Sequence, residues 1–328
     1  MNAIEVKGLA KKFNGFAAVD GINFEIKEGE IFGLLGPNGA GKTTTISMLS
    51  TILKPTSGSA TINGFNLATQ QNDVRMSIGI VFQDPSLDDE LTGRENLDFH
   101  GRLYGVSSKE RKEKIKAVLE LVELEEKADS QVKTYSGGMK RRLELARGLI
   151  HMPKILFLDE PTIGLDPQTR RKLWEYIKRI NSEKGTTMIL TTHYMEEADF
   201  LCNRIAIVDK GKIIASNTPE KLKQVLGGDV ITLEASEPES LKKVVGKMAG
   251  INEVTIFGDK LNVTANNGST VLPRIIKVAH DNGVSIRSAT LKSPSLEDVF
   301  IHYTGRAIRE EEADSKNAMR LRMRVGWR

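Results

Sequence analysis

Hydrophobic and polar positions alternate along residues 3–35 and again along 58–67, as in Asn23-Phe24-Glu25-Ile26-Lys27. A period of two is that of a half-buried strand. Asn63-Gly64 is a type I′ turn signal that closes a hairpin. These stretches predict an antiparallel β layer. Elsewhere the apolar positions run unbroken, near 31–35, 78–82, 155–158, 188–191 and 205–208. Such short runs predict strands buried on both faces. Helical stretches separate them, which makes the fold class α/β. Glu110–Glu126 is a charged amphipathic helix with Ile115, Val118, Leu119 and Val122 on one face. With 90–105 it predicts a helical subdomain inserted at about 84–150, with Phe99 and Tyr104 as candidate contact residues.

A second pattern follows. Thr218-Pro219-Glu220 is a capping residue followed by proline in the first turn, and Gly227-Gly228 ends that helix. The domain boundary is placed there, giving 1–227 and 228–305. Val230–Ala235, Val254–Phe257, Leu261–Ala265 and Ser285–Leu291 read as strands, and Pro238–Met248 and Ser269–Asn282 as helices. Gly258-Asp259 turns between the middle strands. The order β-α-β-β-α-β is ferredoxin-like. A basic tail, 306–328, closes the chain. Its last nine residues alternate arginines with apolar side chains, from Arg320 to Arg328.

The chemistry concentrates in the first domain. Gly36-Pro37-Asn38-Gly39-Ala40-Gly41-Lys42-Thr43 fits G-x-x-x-x-G-K-[ST] between a buried strand and a helix. The glycines let backbone N–H groups converge on phosphates, and the helix start adds partial positive charge. Lys42 supplies a point charge to the phosphates and Thr43 a hydroxyl to Mg²⁺. Asp159 and Glu160 end the apolar run 155–158. Asp159 is placed to hold Mg²⁺, and Glu160 to orient or deprotonate an attacking water. Ser136-Gly137-Gly138 opens a second helix, which carries Lys140, Arg141 and Arg142. Two phosphate-binding helix starts on one chain suggest that one nucleotide is held between two copies.

In this order the motifs resemble the ATP-binding cassette (ABC) ATPases, over roughly residues 1–222. The resemblance implies a P-loop cassette core with an antiparallel β subdomain and an inserted helical subdomain. It implies that Phe13 stacks on adenine, that Thr44 joins Gly36–Thr43 around ATP, and that Gln83 touches Mg²⁺ and the water. It implies that Tyr135-Ser136-Gly137-Gly138-Met139 is the signature motif, that Asp166 crosses a dimer interface, and that His193 contacts the γ-phosphate. Taken singly, Phe13 reads as a core aromatic, Gln83 as a loop residue and His193 as a structural histidine. The ends Tyr135 and Met139, and Ser293–Phe300 with Thr304-Gly305-Arg306, resemble the drug-exporter branch of the daunorubicin-resistance type.

Composition narrows the setting. No apolar run approaches the roughly 18 residues of a membrane-spanning helix. Residues 1–12 carry Glu5, Lys7, Lys11 and Lys12 and no long apolar core, unlike a secretory leader. The single cysteine, Cys202, forms no internal disulfide and fits a reducing cytosol. Net charge is +4; the tail holds seven Lys/Arg and four Asp/Glu, so the body is close to neutral and has no basic footprint for nucleic acid.

The expectation is therefore an ATPase subunit of an exporter with drug-type cargo, on the cytoplasmic face of the membrane. Its cofactors are ATP and Mg²⁺. Its partners are a second copy of itself and a separate multi-spanning permease. The competing readings are a cassette ATPase acting on ribosomes or DNA, and the ATPase of an importer or of a lipid or polysaccharide exporter. Residues 228–305 are assigned to regulation or dimer stabilisation.

Overall fold

The alternating N-terminal stretch forms two long antiparallel strands, β1 (Asn2–Phe13) and β2 (Phe16–Lys27). The computed structural model describes residues 1–258 and 260–305; Asp259 of the expected turn and the basic tail lie outside the described residues. At β3 (Ile31–Leu35) the alternation stops, and all five residues are buried. The P-loop follows, then α1 (Lys42–Leu49). Strands β4 (Ser57–Ile62) and β5 (Phe65–Asn66) form the expected hairpin, with Asn63 and Gly64 both at positive φ (49° and 83°) as a type I′ turn requires. The order β2-β1-β4-β5 is the antiparallel layer.

Helix α2 (Gln71–Ser77) and strand β6 (Ile78–Val81) lead into the helical subdomain: α3 (Gly93–Leu103), α4 (Ser108–Leu121) and α5 (Gly137–Leu149). Helix α4 ends at Leu121 rather than Glu126. Glu123 sits at φ 55°, a left-handed conformation that stops an α-helix, and Glu125–Lys127 is a 3₁₀ turn. Ile115, Val118 and Leu119 are buried, as the periodicity requires. Phe99 is exposed, whereas the Tyr104 ring stacks on His151 at 3.8 Å between centroids.

The core sheet is completed by β7 (Ile155–Asp159), α6 (Pro167–Lys184), β8 (Thr187–Thr192), α7 (Met195–Leu201), β9 (Arg204–Asp209) and β10 (Lys212–Asn217). Its order is β10-β9-β3-β8-β7-β6. β6, β7, β8, β3 and β9 are mutually parallel, and β7 and β8 are buried throughout like β3. Parallel pairing aligns the carboxyl ends of β3, β7 and β8 at one edge. In register, Leu35 pairs with Thr192 and Asp159 with Thr191.

A second compact unit begins at Asn217. The boundary expected at Gly227-Gly228 therefore moves upstream, because α8 (Pro219–Gln224), capped by Thr218 as expected, packs with the second unit against α11 (Leu296–Thr304). Between these lie β11 (Asp229–Ala235), α9 (Pro238–Val245), β12 (Ile251–Phe257), β13 (Lys260–Ala265), α10 (Gly268–Asp281) and β14 (Ile286–Lys292). The order β12-β13-β11-β14, with every pair antiparallel, is ferredoxin-like. Among the described residues no helix is long and apolar enough to cross a membrane.

The His100–Tyr104–His151 stack makes the helical subdomain acid-sensitive. Burial, with the nearby Arg147 charge, pushes His100 down to about 4; burial and Lys114 do the same to His151, against a hydrogen bond to the Ile78 carbonyl. The folded state thus binds these protons less well than the unfolded chain does. The stabilisation is complete above pH 6.5 and is lost as pH falls toward 4. Each histidine contributes up to about 3 kcal/mol to that loss. Thermal midpoints measured from pH 7 to pH 4.5 should fall more steeply in the wild type than in His100→Phe or His151→Phe.

Candidate active site

The P-loop turns where β3 ends, and its glycines are required by space. A Cβ on Gly36 would lie 2.2 Å from the Val208 carbonyl oxygen, and one on Gly41, at φ 103°, would lie 2.4 Å from that of Ala18. Gly41 caps α1 with no side chain, so the backbone N–H groups at this helix start keep their capacity for an anion. Pro37, Asn38, Gly39 and Ala40 form the turn, closed by the Ala40 N–H on the Pro37 carbonyl at 3.2 Å. Thr43 and Thr44 open the helix. Lys42 is buried and folds back over the loop: its Nζ donates to the Gly36 and Pro37 carbonyls at 2.7 and 3.0 Å and lies 3.3 Å from Glu160 Oε1.

The acidic pair divides its roles by environment. Asp159 Oδ1 accepts from the Thr191 and Thr43 hydroxyls at 2.5 and 3.1 Å. Burial raises its carboxyl above the usual range, against those two hydrogen bonds. For Glu160 burial acts in the same direction, but the hydrogen bond from His193 and the Lys42 charge outweigh it and hold the carboxyl below its usual value. Neighbouring carboxyls whose environments push them apart take different tasks. His193 Nδ1 lies 2.8 Å from Glu160 Oε2. An ionised carboxylate only accepts, so the hydrogen-bond network assigns the proton to Nδ1.

Glu160 also carries backbone strain. Its φ is 46°, and a non-glycine residue there costs on the order of 1 kcal/mol. Its N–H is held by the Thr191 carbonyl and hydroxyl at 3.2 and 3.0 Å.

The remaining sequence-selected residues form a second group. Ser136 caps α5 by accepting from the Met139 N–H at 3.3 Å. Asp166 caps α6 by accepting from the N–H groups of Gln168 and Thr169 at 3.1 and 3.0 Å. The two helix starts touch: a Cβ on Gly138 would lie 2.6 Å from Thr169 Cγ2, and one on Gly137 would meet Leu165 at 3.8 Å. So Ser136, Gly137, Gly138 and Asp166 share one face, while Lys42, Thr43, Asp159, Glu160 and His193 share another. Gln83 follows β6 with its side chain exposed. Phe13, at the end of β1, is 44% exposed with Lys11 Nζ 5.1 Å from its ring centroid.

A family model described as ABC transporter matches residues 19–163, and one described as the C-terminal domain of DrrA1-3-like ATP-binding proteins matches 218–304. The daunorubicin resistance ATP-binding protein DrrA2 of Streptomyces coeruleorubidus is 39% identical over 96% of this chain and 98% of its own length. This chain belongs to the ABC transporter ATP-binding subunits. It is an ATP-binding and ATP-hydrolysing subunit of the exporter group. The linearmycin resistance protein LnrL of Bacillus subtilis is 40% identical over 94% of this chain and all of its own. The Nod factor export ATP-binding protein I of Rhizobium sp. strain N33 is 40% identical over 93% and 97%. Among solved structures, the dimeric post-hydrolysis state of the cassette MJ0796, bound to ADP and Pi, has a TM-score of 0.59 at 30% identity. It covers 66% of this chain and 98% of that one.

The buried charged groups of the ATPase that escaped the sequence reading include two that bond to several residues at once. One is Arg141, singled out only as part of a basic helix. The other is Glu197 on α7, fully buried, whose Oε1 accepts from Thr162 Oγ1 at 2.7 Å and Trp174 Nε1 at 2.8 Å. Burial raises the Glu197 carboxyl, against hydrogen bonds from Thr192, Thr162 and Trp174. The fold therefore favours its protonated form, and that stabilisation, complete below about pH 4.5, is lost as pH rises. Glutamine imitates the protonated acid permanently. Glu197→Gln should match or exceed the wild type in chemical denaturation, with a margin that widens from pH 5 to pH 8. Glu197→Leu should lose roughly 2–4 kcal/mol by stranding two buried donors.

Proposed function

We propose that the subunit hydrolyses ATP-Mg²⁺ between two copies of the chain and so drives a separate membrane permease that exports drug-like molecules. The Lys42–Glu160–His193 cluster carries this reading. The residues Gly36 to Thr44 hold the phosphates, and Phe13 stacks on the base through its exposed ring. Thr43 and Asp159 fit Mg²⁺: a hydroxyl and a carboxylate 3.1 Å apart are the sparse protein set that this ion takes beside phosphate oxygens, and Gln83 completes it. When bound, the ion neutralises developing charge on the phosphates. Among the described residues no cluster of three His, Cys, Asp or Glu side chains competes as a metal site.

As ATP enters, Lys42 exchanges the loop carbonyls and Glu160 for phosphate oxygens. Glu160 keeps His193 and stays ionised, so it can accept a hydrogen bond from a water and orient it. Its depressed proton affinity suits orientation better than full proton abstraction. A neutral imidazole has one N–H, so His193 reaches a phosphate only by taking up a proton or by releasing Glu160. Ser136, Gly137 and Gly138 of the second copy close the site from outside, and Asp166 lies beside them. Closure excludes water, and loss of the γ-phosphate reopens the pair. Gln83 reports nucleotide state to the helical subdomain, which receives the permease on the cytoplasmic side. The names of the relatives support export, and resistance proteins among them support drug-like cargo.

Glu160→Gln should slow turnover by about 100-fold or more while ATP binding persists. Tagged Glu160→Gln protein with ATP should then recover a multi-spanning membrane protein from detergent-solubilised native membranes. Recovery of ribosomes or DNA without a membrane protein would replace this reading with a soluble one. A Glu160→Gln chain that stays monomeric at saturating ATP would rule out the two-copy arrangement for the isolated subunit.

A further inference from the structure

Arg141 lies in the second turn of α5, one turn beyond the Ser136 cap. It is buried, yet its guanidinium spends its N–H groups mainly on backbone. Nε donates to the Pro161 carbonyl at 2.5 Å. Nη2 donates to the carbonyls of Glu160 and Asp159 at 3.0 and 3.3 Å. Nη1 donates to the Phe82 carbonyl at 2.6 Å and reaches that of Gln83 at 3.5 Å. Its charge is met by Glu144 one turn on, at 2.7 Å. Glu144 is fully buried and accepts the Ser86 N–H at 2.8 Å with its other oxygen.

Three elements therefore meet at one side chain. They are the helix that the signature motif opens, the loop that carries Gln83, and the peptide that carries Glu160. That peptide is the strained one, at φ 46°. The Thr191 carbonyl and hydroxyl hold its N–H, and Arg141 holds its C=O together with the Ile163 N–H at 3.2 Å. Only a planar fork with several donors bonds to both loops at once; the ammonium of lysine is a single point.

We propose that Arg141 is a positioning residue that fixes the Glu160 carboxylate through its backbone and ties that geometry to the Gln83 loop, with Glu144 holding the fork in register. A displacement of the Gln83 loop reaches Glu160 through the guanidinium without any side chain of either loop taking part. The hydrogen bonds of the Arg141 guanidinium go to no P-loop residue, so a change at Arg141 should separate turnover from nucleotide affinity. The proposal rests on the assignment of Glu160 to the reaction.

The test uses the full chain and three readouts: steady-state ATP hydrolysis, equilibrium binding of a fluorescent ATP analogue, and thermal unfolding. Arg141→Lys should lower kcat about 30-fold, the scale of a misplaced catalytic group, with nucleotide Kd within about threefold of wild type. In the Glu160→Gln background the same substitution should change residual single-turnover hydrolysis by no more than about threefold, because two residues acting through one group are not additive. Turnover within twofold of wild type would overturn the proposal. So would a parallel loss of kcat and binding, or a full additive loss in the double variant, either of which makes Arg141 merely structural.

If Arg141→Lys does not fold, Glu144→Gln keeps one of the two acceptor oxygens, replaces the other by an N–H donor and removes the charge that meets the fork. It should lower kcat severalfold at unchanged Kd, and wild-type turnover there overturns the proposal. Glu160→Gln alone separates the two assignments. If it turns over normally, the role of Glu160 fails; if it stalls while Arg141→Lys does not, only the Arg141 proposal fails.

Discussion

The ion pair between Lys42 and Glu160 governs this site. Both side chains are buried, and neither charge is tolerable there alone: leaving one partner unpaired in such surroundings costs about 3–5 kcal/mol. The pair can exist only because the parallel sheet ends β3 and β7 at the same edge, with β8 between them supplying Thr191 and His193. Each further polar group then has its place fixed. The Gly36 and Pro37 carbonyls take the other ammonium protons, His193 takes the second carboxylate oxygen, and Thr43 and Thr191 satisfy Asp159.

Pairing alone does not aim Glu160. Its left-handed backbone turns the side chain back from the strand toward the P-loop, which ordinary extension of β7 would not do. Glycine would adopt that φ freely but brings no carboxylate. The chain instead keeps glutamate and holds its peptide on both sides, its N–H donating to Thr191 and its C=O accepting from Arg141. Such strain persists only where the surroundings over-determine it, and here β8 and α5 both do so.

The parts of this design that show in sequence are those with a period or a spacing. Unbroken apolar runs marked β3, β7 and β8; the glycine spacing marked the P-loop; Thr218-Pro219 marked α8. The α4 terminus was misread because the charged, apolar-faced pattern continues past Glu123, whose positive φ leaves no trace in residue type. The unit boundary was misread because Gly227-Gly228 ends a helix, and a helix end is a domain end only if that helix packs backwards; α8 packs forwards, onto α11. Arg141 and Glu197 stayed hidden for a different reason. An arginine among basic neighbours and a glutamate in Met195-Glu196-Glu197 read as solvated charge, and only tertiary contacts bury them.

Lys42 has carbonyl and carboxylate partners, so on the function proposed above phosphate binding is an exchange of partners and not the capture of an ion by a bare cation. Exchange lowers the net gain from Lys42, and it leaves Glu160 free of its cation at the moment when a γ-phosphate is present. The carboxylate proposed to orient water is thus paired with the lysine proposed to meet the phosphates, and one ammonium cannot serve both partners fully.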